Sequence, residues 1–300
     1  MIPDNTKCGL VSIVGLPNAG KSTLLNNFVG EKISIVTHKV QTTRSRVRGV
    51  SMVGDTQIVY IDTPGIFKAK RRLERSMVDA AWSSVKDSDV VVIVIDAYRG
   101  VDDKVKRLLL EVNERNCKTI LALNKVDKVK RELLLSLTAE LSSISEYGEV
   151  FMVSASKGDG IEDLQDYIAT LMLPGPWLYP RDQLSDLPER LIASETTREK
   201  AYLFLHQELP YSLSVFTEEW KVLRDTSIRL RQVIYVERDT QKAIVLGKSG
   251  QTIKKIRISS QKEMSNLFET FVHLFIEVKV RRNWVDDPKS YDEWGLKYDI

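Results

Sequence analysis

The residues Gly15-Leu16-Pro17-Asn18-Ala19-Gly20-Lys21-Ser22, with Thr23 behind them, set glycines, a lysine and a hydroxyl at the spacing G-x-x-x-x-G-K-S. Their chemistry is the seating of a polyphosphate. Backbone N–H groups of such a turn, here including those of Gly15, Asn18, Ala19, Gly20 and their neighbours, converge on phosphate oxygens, and the positive end of a following helix adds to them. Lys21 is placed to reach the β- and γ-phosphates and the Ser22 hydroxyl to ligate Mg2+.

Two more clusters could complete a nucleotide site. Asp62-Thr63-Pro64-Gly65 follows an apolar run. Its acid can hold a water on Mg2+, and the Gly65 N–H can meet a γ-phosphate, which a diphosphate lacks, so this loop can order in the triphosphate state. Asn124-Lys125-Val126-Asp127 closes another apolar run. The Asp127 carboxylate can accept from the ring N–H and the exocyclic amine of guanine, while adenine would leave it unpaired, so GTP or GDP is the expected ligand. Asn124 is expected to tie the base loop to the phosphate loop, the Lys125 stem to cover the base or ribose, and Ser154, Ala155 and Ser156 to offer N–H groups to the guanine carbonyl.

These loops need a frame. Leu10–Val14, Ile58–Ile61, Val90–Ile95, Thr119–Leu123 and Val150–Val153 are apolar runs suited to strands covered on both faces. Helical patterns fall between them at Ser22–Phe28, Leu73–Val85, Asp103–Val112, Lys130–Ile144 and Ile161–Met172. The alternation predicts a three-layer α/β domain with a mostly parallel sheet over residues 1–173. Val47–Met52 and Gln57–Ile61 read as a hairpin at its edge. Pro174-Gly175-Pro176-Trp177-Leu178-Tyr179-Pro180 breaks the pattern, and 174–190 reads as a linker.

The rest, 191–300, reads as a smaller α+β unit. A helix is expected over Glu189–Gln207, strand-like runs at Gln232–Glu237 and Ala243–Leu246, a helix from about Gln251 and a last strand over His273–Val280. Gly247-Lys248-Ser249-Gly250 lies before Gln251-Thr252-Ile253-Lys254-Lys255-Ile256, and it looks like the G-x-x-G loop of a type II KH domain. Such a loop lays its backbone on single-stranded RNA, with Lys248, Lys254 and Lys255 supplying charge and the groove at Ile253 and Ile256 receiving bases. Residues 221–282 hold fourteen Lys or Arg against six Asp or Glu, although the whole chain carries only +3. A polyanion partner suits that segment.

Composition narrows the rest. Cys8 and Cys117 are the only cysteines and read as reduced core thiols. His38, His206 and His273 show no metal-ligand spacing. No run is apolar enough to cross a bilayer, and Met1 to Lys7 lack the pattern of a secretory signal, so the cytosol is the expected compartment. Most of Trp177, Trp220, Trp284 and Trp294 are expected to pack rather than stack on bases. The acidic, aromatic tail from Asp286 to Ile300 is expected to dock on the protein itself.

Taken together, Gly15–Ser22, Gln41-Thr42-Thr43-Arg44, Asp62–Gly65, Asn124–Asp127 and Ser154–Ser156 resemble the Era branch of the TrmE-Era-EngA-YihA-Septin-like GTPases, and the KH-like unit completes the arrangement of that family. The resemblance implies a bacterial GTPase that binds 16S rRNA near its 3′ end and assists small-subunit assembly, as a monomer with peripheral contact to the cytoplasmic face of the inner membrane. It also implies that a threonine of 41–44, Thr43 favoured over Thr42, closes on Mg2+ beside Ser22 and Asp62. Lys21, Thr43 and Gly65 are then the catalytic candidates. Ile66 stands where Ras-like enzymes carry the water-orienting glutamine, so slow hydrolysis is expected. Arg44, Arg46 and Arg48 are finger candidates by proximity alone. The competing functions are a GTP-regulated RNA binder without turnover and a GTPase acting on another RNA such as tRNA.

Overall fold

A computed structural model describes residues 6–37, 43–44, 46–205 and 209–300. Met1 to Asn5, His38, Gln41, Thr42 and His206 lie outside the described residues. The chain divides into two compact units, Met1–Ser34 with Thr43–Asp186 and Tyr291–Ile300, and Ile35–Thr42 with Leu187–Ser290.

The first unit runs β1 (Lys7–Gly15), α1 (Lys21–Val29), β2 (Val47–Val53), β3 (Thr56–Asp62), α2 (Arg72–Lys86), β4 (Val90–Asp96), α3 (Asp103–Asn113), β5 (Thr119–Asn124), α4 (Arg131–Ile144), β6 (Val150–Val153), α5 (Ile161–Thr170) and the short β7 (Leu173–Pro174). The sheet order is β2-β3-β1-β4-β5-β6, with β7 antiparallel to the start of β1. Apart from that and the β2–β3 hairpin, the pairings are parallel. Parallel strands must be covered on both faces, and β4 is buried at every position. Helices α2, α3 and α4 pack on one face through residues such as Val85, Leu109 and Leu141. On the other, α1 and α5 pack together against β2 and β3, with Phe28 of α1 stacked on Tyr60 of β3 at 4.4 Å. The registers Ile13↔Asp62, Gly15↔Val94, Asp96↔Asn124 and Asn124↔Val153 bring the strand ends that carry the predicted motifs to one edge.

The proline-rich stretch is pinned to this unit. Gln57, fully buried, accepts from Leu178 N (2.8 Å) and Tyr179 N (3.0 Å) and donates to Tyr179 O (2.8 Å). Farther along, Val50 N donates to Leu184 O at 2.8 Å and Ser185 Oγ to Arg48 O at 2.8 Å. The segment therefore covers the outer edge of β2.

The second unit contains α6 (Glu189–Phe204), β8 (Leu213–Val222), β9 (Ile228–Val236), α7 (Asp239–Leu246), α8 (Gln251–Leu267) and β10 (Val272–Val280), followed by α9 (Pro288–Glu293), which crosses into the first. Its sheet has the order β10-β9-β8, with β10 parallel to β9. That parallel pair needs a long crossover, which α7 and α8 provide. The run Ala243–Leu246, expected as strand-like, is the second half of α7. Gln241 Oε1 accepts from Glu237 N (2.8 Å) and Arg238 N (3.1 Å), which starts the helix, and only Val245 of this helix is buried. Trp220 packs edge-on against Phe268, and Trp284 and Trp294 are buried.

Candidate nucleotide site and RNA-binding loop

The turn between β1 and α1 is built by local rules. Gly20, just before the helix, has φ 103°, and a Cβ there would lie 2.1 Å from Asn124 Nδ2. Only glycine lets the base loop approach so closely. Lys21 is buried, and its Nζ donates to Leu16 O (3.1 Å) and Gly15 O (3.3 Å). Burial pushes its pKa down to about 8, with the charge of Asp62 opposing.

Asp62, at the end of β3, gathers hydroxyls. Its Oδ2 accepts from Ser22 Oγ (2.6 Å), Ser34 Oγ (3.0 Å) and Thr43 Oγ1 (3.2 Å), and Ser22 Oγ lies 3.0 Å from Thr43 Oγ1. Burial raises the carboxyl pKa, while Lys21 and the three hydroxyls pull it back. Asp62 Oδ1 is buried with no hydrogen-bond partner among the described residues. The set fits a magnesium ion: these are hard oxygen donors, and an orphaned buried carboxylate oxygen is what a bound cation would satisfy. Gly65 is brought to the phosphate loop by the next residue, whose N donates to Gly15 O at 3.1 Å. The Ile66 side chain is core.

The base loop is tied twice. Asn124 Nδ2 donates to Ala19 O (2.8 Å), and its Oδ1 accepts from Lys125 N (2.8 Å) and Ala155 N (2.9 Å). Lys125, at φ 67°, donates from Nζ to Asn18 O (2.8 Å) and Asp96 Oδ2 (2.6 Å). Asp127 is exposed, and its Oδ1 accepts from Ser154 Oγ at 2.7 Å, with Ser156 Oγ 3.3 Å from that hydroxyl. Thr23 O and Ala155 O both accept from Asn27 Nδ2 at 2.8 Å. Thus Gly15 to Thr23, Asp62, Asn124 to Asp127 and Ser154 to Ser156 form one constellation, and Thr43 joins it. Ser34 and Asp96 belong to it as well; no local motif marks either, and only the fold brings them in. Arg48 is held by Asp186 at 3.0 Å and Arg44 is buried under Trp294, so both are engaged in structure.

In the second unit, Lys248–Gly250 forms a single tight turn between α7 and α8. Gly247 has φ 72°, and a Cβ there would sit 2.1 Å from Thr252 Oγ1. Ser249 and Gly250 are also left-handed, at φ 52° and 74°. Lys248, Ser249, Lys254 and Lys255 are exposed, and Ile253 is half-buried. Ile256 is fully buried in the core and offers no surface to a base, a correction to its expected place in the groove. Ile244 and Ile258 are instead exposed, at 55% and 50%. The i, i+4 spacing of Lys254 and Ile258 on a helix is the signal that could have found the latter.

Residues 10–125 match the family described as 50S ribosome-binding GTPase, and residues 208–285 match the KH domain family. Over 293 residues the chain is 51% identical to GTPase Era of Rhizobium meliloti, covering 98% of this chain and 94% of that one. The chain belongs to the Era family of GTPases. Another Era relative, from Agrobacterium fabrum, is 52% identical over 98% of this chain and 92% of its own. Two solved Era structures align with 98% of this chain and all of theirs, each at 35% identity and a TM-score of 0.92. One holds MgGDPNP and nucleotides 1506–1542 of 16S ribosomal RNA, and the other is a variant of Aquifex aeolicus Era bound to GDP and AlF4−.

Proposed function

We propose that this Era-family GTPase is a magnesium-dependent guanine-nucleotide switch that binds 16S rRNA near its 3′ end through the KH domain and assists small-subunit assembly. The observation that carries the reading is the convergence of the Ser22, Ser34 and Thr43 hydroxyls on the buried Asp62 carboxylate, beside a base loop knotted to the phosphate loop by Asn124. Magnesium, when bound with the nucleotide, supplies positive charge at the phosphoryl oxygens. Ser22 and Thr43 would hold it, with Asp62 behind them. Lys21 neutralises phosphate charge, and the main-chain N–H groups of Asn18 to Ser22 and of Gly65 orient the phosphates. Asp127, aligned by the Ser154 hydroxyl, chooses guanine. With Ile66 in the core, that position aligns no water, and turnover is slow.

The description of the family matching residues 10–125 names the 50S particle, but that match excludes the KH domain. The solved Era complex that aligns with nearly the whole chain holds 16S RNA, and the RNA reading follows it. Lys248, Ser249, Lys254 and Lys255, with the backbone at Gly247 and Gly250 and the side of Ile253, form the RNA contact. The protein acts as a cytosolic monomer with peripheral contact to the inner membrane; no helix among the described residues is long and apolar enough to cross one.

RNA crosslinked to the protein in cells should be enriched in the 3′ end of 16S rRNA, and the purified chain should release phosphate from GTP. Nucleotide binding without phosphate release would leave a GTP-regulated RNA binder. Crosslinks concentrated on tRNA would move the protein to another pathway. RNA affinity should differ between a GTP analogue and GDP; equal values would refute coupling.

A further inference from the structure

Residues Tyr291–Ile300 group with the first unit, and they contact Arg44, next to Thr43, and helix α2. Trp294 is 4% exposed, with its ring centroid 5.6 Å from the Arg44 guanidinium carbon; Arg44, itself 3% exposed, directly follows Thr43. Tyr298 lies 4.5 Å from the guanidinium carbon of Arg72, the first residue of α2, which comes shortly after Asp62–Gly65. The same helix holds the tail by polar contacts. Ser76 Oγ donates to Lys297 O at 2.7 Å, and Lys297 Nζ pairs with Asp79 at 3.3 Å. Fully buried Tyr291 touches both rings, at 6.1 Å from Trp294 and, perpendicular, 5.1 Å from Tyr298.

Segment 291–300 sets an aromatic face on two cations, Arg44 beside Thr43 and Arg72 at the start of α2, and a guanidinium shielded from water gains more from such a face than an exposed one. Thr43 and Arg44 are neighbours in the chain, so drawing Thr43 away from Ser22 and Asp62 would pull Arg44 from under Trp294.

We propose that the C-terminal tail is a clasp in which Trp294, acting through Arg44, is a positioning residue that holds Thr43 closed on its metal site, while Tyr298 on Arg72 anchors the tail to α2. The inference rests on the reading of Thr43 as the residue that closes in the triphosphate state. A diphosphate does not call on Thr43, so the clasp slows release of the triphosphate selectively.

The test uses the full chain with magnesium and compares Trp294→Leu, which keeps an apolar side chain without a ring, with Trp294→Phe, which keeps a ring. Dissociation of fluorescent GDPNP and GDP is followed by stopped flow. Trp294→Leu should release GDPNP about tenfold faster and GDP within about twofold of the parent, and Trp294→Phe should stay close to the parent. Tyr298→Leu, at a less buried position, should shift GDPNP release in the same direction and serves if Trp294→Leu does not fold. Equal acceleration of both nucleotides, identical behaviour of Leu and Phe, or no change in either rate would overturn the proposal. Failure of the functional reading would look different, because the parent chain itself would then bind neither nucleotide.

Discussion

Asn124→Ala removes a side chain that makes three short hydrogen bonds at 2% exposure. Ala19 O loses its donor at 2.8 Å, and Lys125 N and Ala155 N lose their shared acceptor at 2.8 and 2.9 Å. Leaving a buried polar group unpaired costs about 1–3 kcal/mol. Ala19 O and Ala155 N are both buried, whereas Lys125 N is part-buried and open to water, so the sum falls near 2–4 kcal/mol rather than three full penalties. Guanine nucleotide needs all three segments in place. Nearly all of the loss should therefore appear in binding, as a Kd for GDP raised by about 30- to 700-fold at 1.4 kcal/mol per decade. Titration of a fluorescent GDP analogue measures it, with urea unfolding of the nucleotide-free protein as the control for stability. A Kd within about threefold of the parent for Asn124→Ala would refute the view that this residue knots the loops together.

Asp127→Asn should move preference from guanine toward xanthine nucleotides, read by competition between GTP and XTP; unchanged guanine selectivity would remove Asp127 from the base site. Lys254→Ala with Lys255→Ala should weaken RNA binding uniformly across sequences and flatten the plot of log affinity against log salt by about 1.4, the figure for two phosphates of a single strand. GTP hydrolysis without RNA should not change. Gln57→Ala strips three hydrogen bonds from the proline-rich segment and should lower unfolding free energy by about 2–4 kcal/mol in urea melts, while guanine affinity holds.

The parallel core was legible because strands covered on both faces must be apolar throughout: β4, as Val-Val-Val-Ile-Val-Ile, admits few other readings. Motif glycines were legible for an equally local reason, since a left-handed turn or a close backbone approach accepts little else. What stayed hidden depends on distant partners. Ser34 lies in an unremarkable loop and reaches Asp62 only once the fold forms, and Asp96 gains its role from Lys125, whose Nζ comes within 2.6 Å. Strand β8 escaped because its polar side carries Glu218, Glu219 and Lys221 and a bulge breaks the alternation after Thr217. The four apolar residues at 243–246 were too few to tell a period of 2 from one of 3.6, and the cap at Gln241 settled them as helix. Arg44 under Trp294 joins residues 250 apart in sequence, a pairing no window along the chain could detect.

The proline-rich segment carries a practical consequence for anyone wishing to study the nucleotide-binding half alone. Cutting the chain after β7 would strip away Leu184 and Ser185, and with them the partners of the Val50 amide and the Arg48 carbonyl. Naked strand borders recruit one another. Such a fragment should self-associate as its concentration rises, whereas one extended through Asp186 keeps its own selvedge and should remain dispersed.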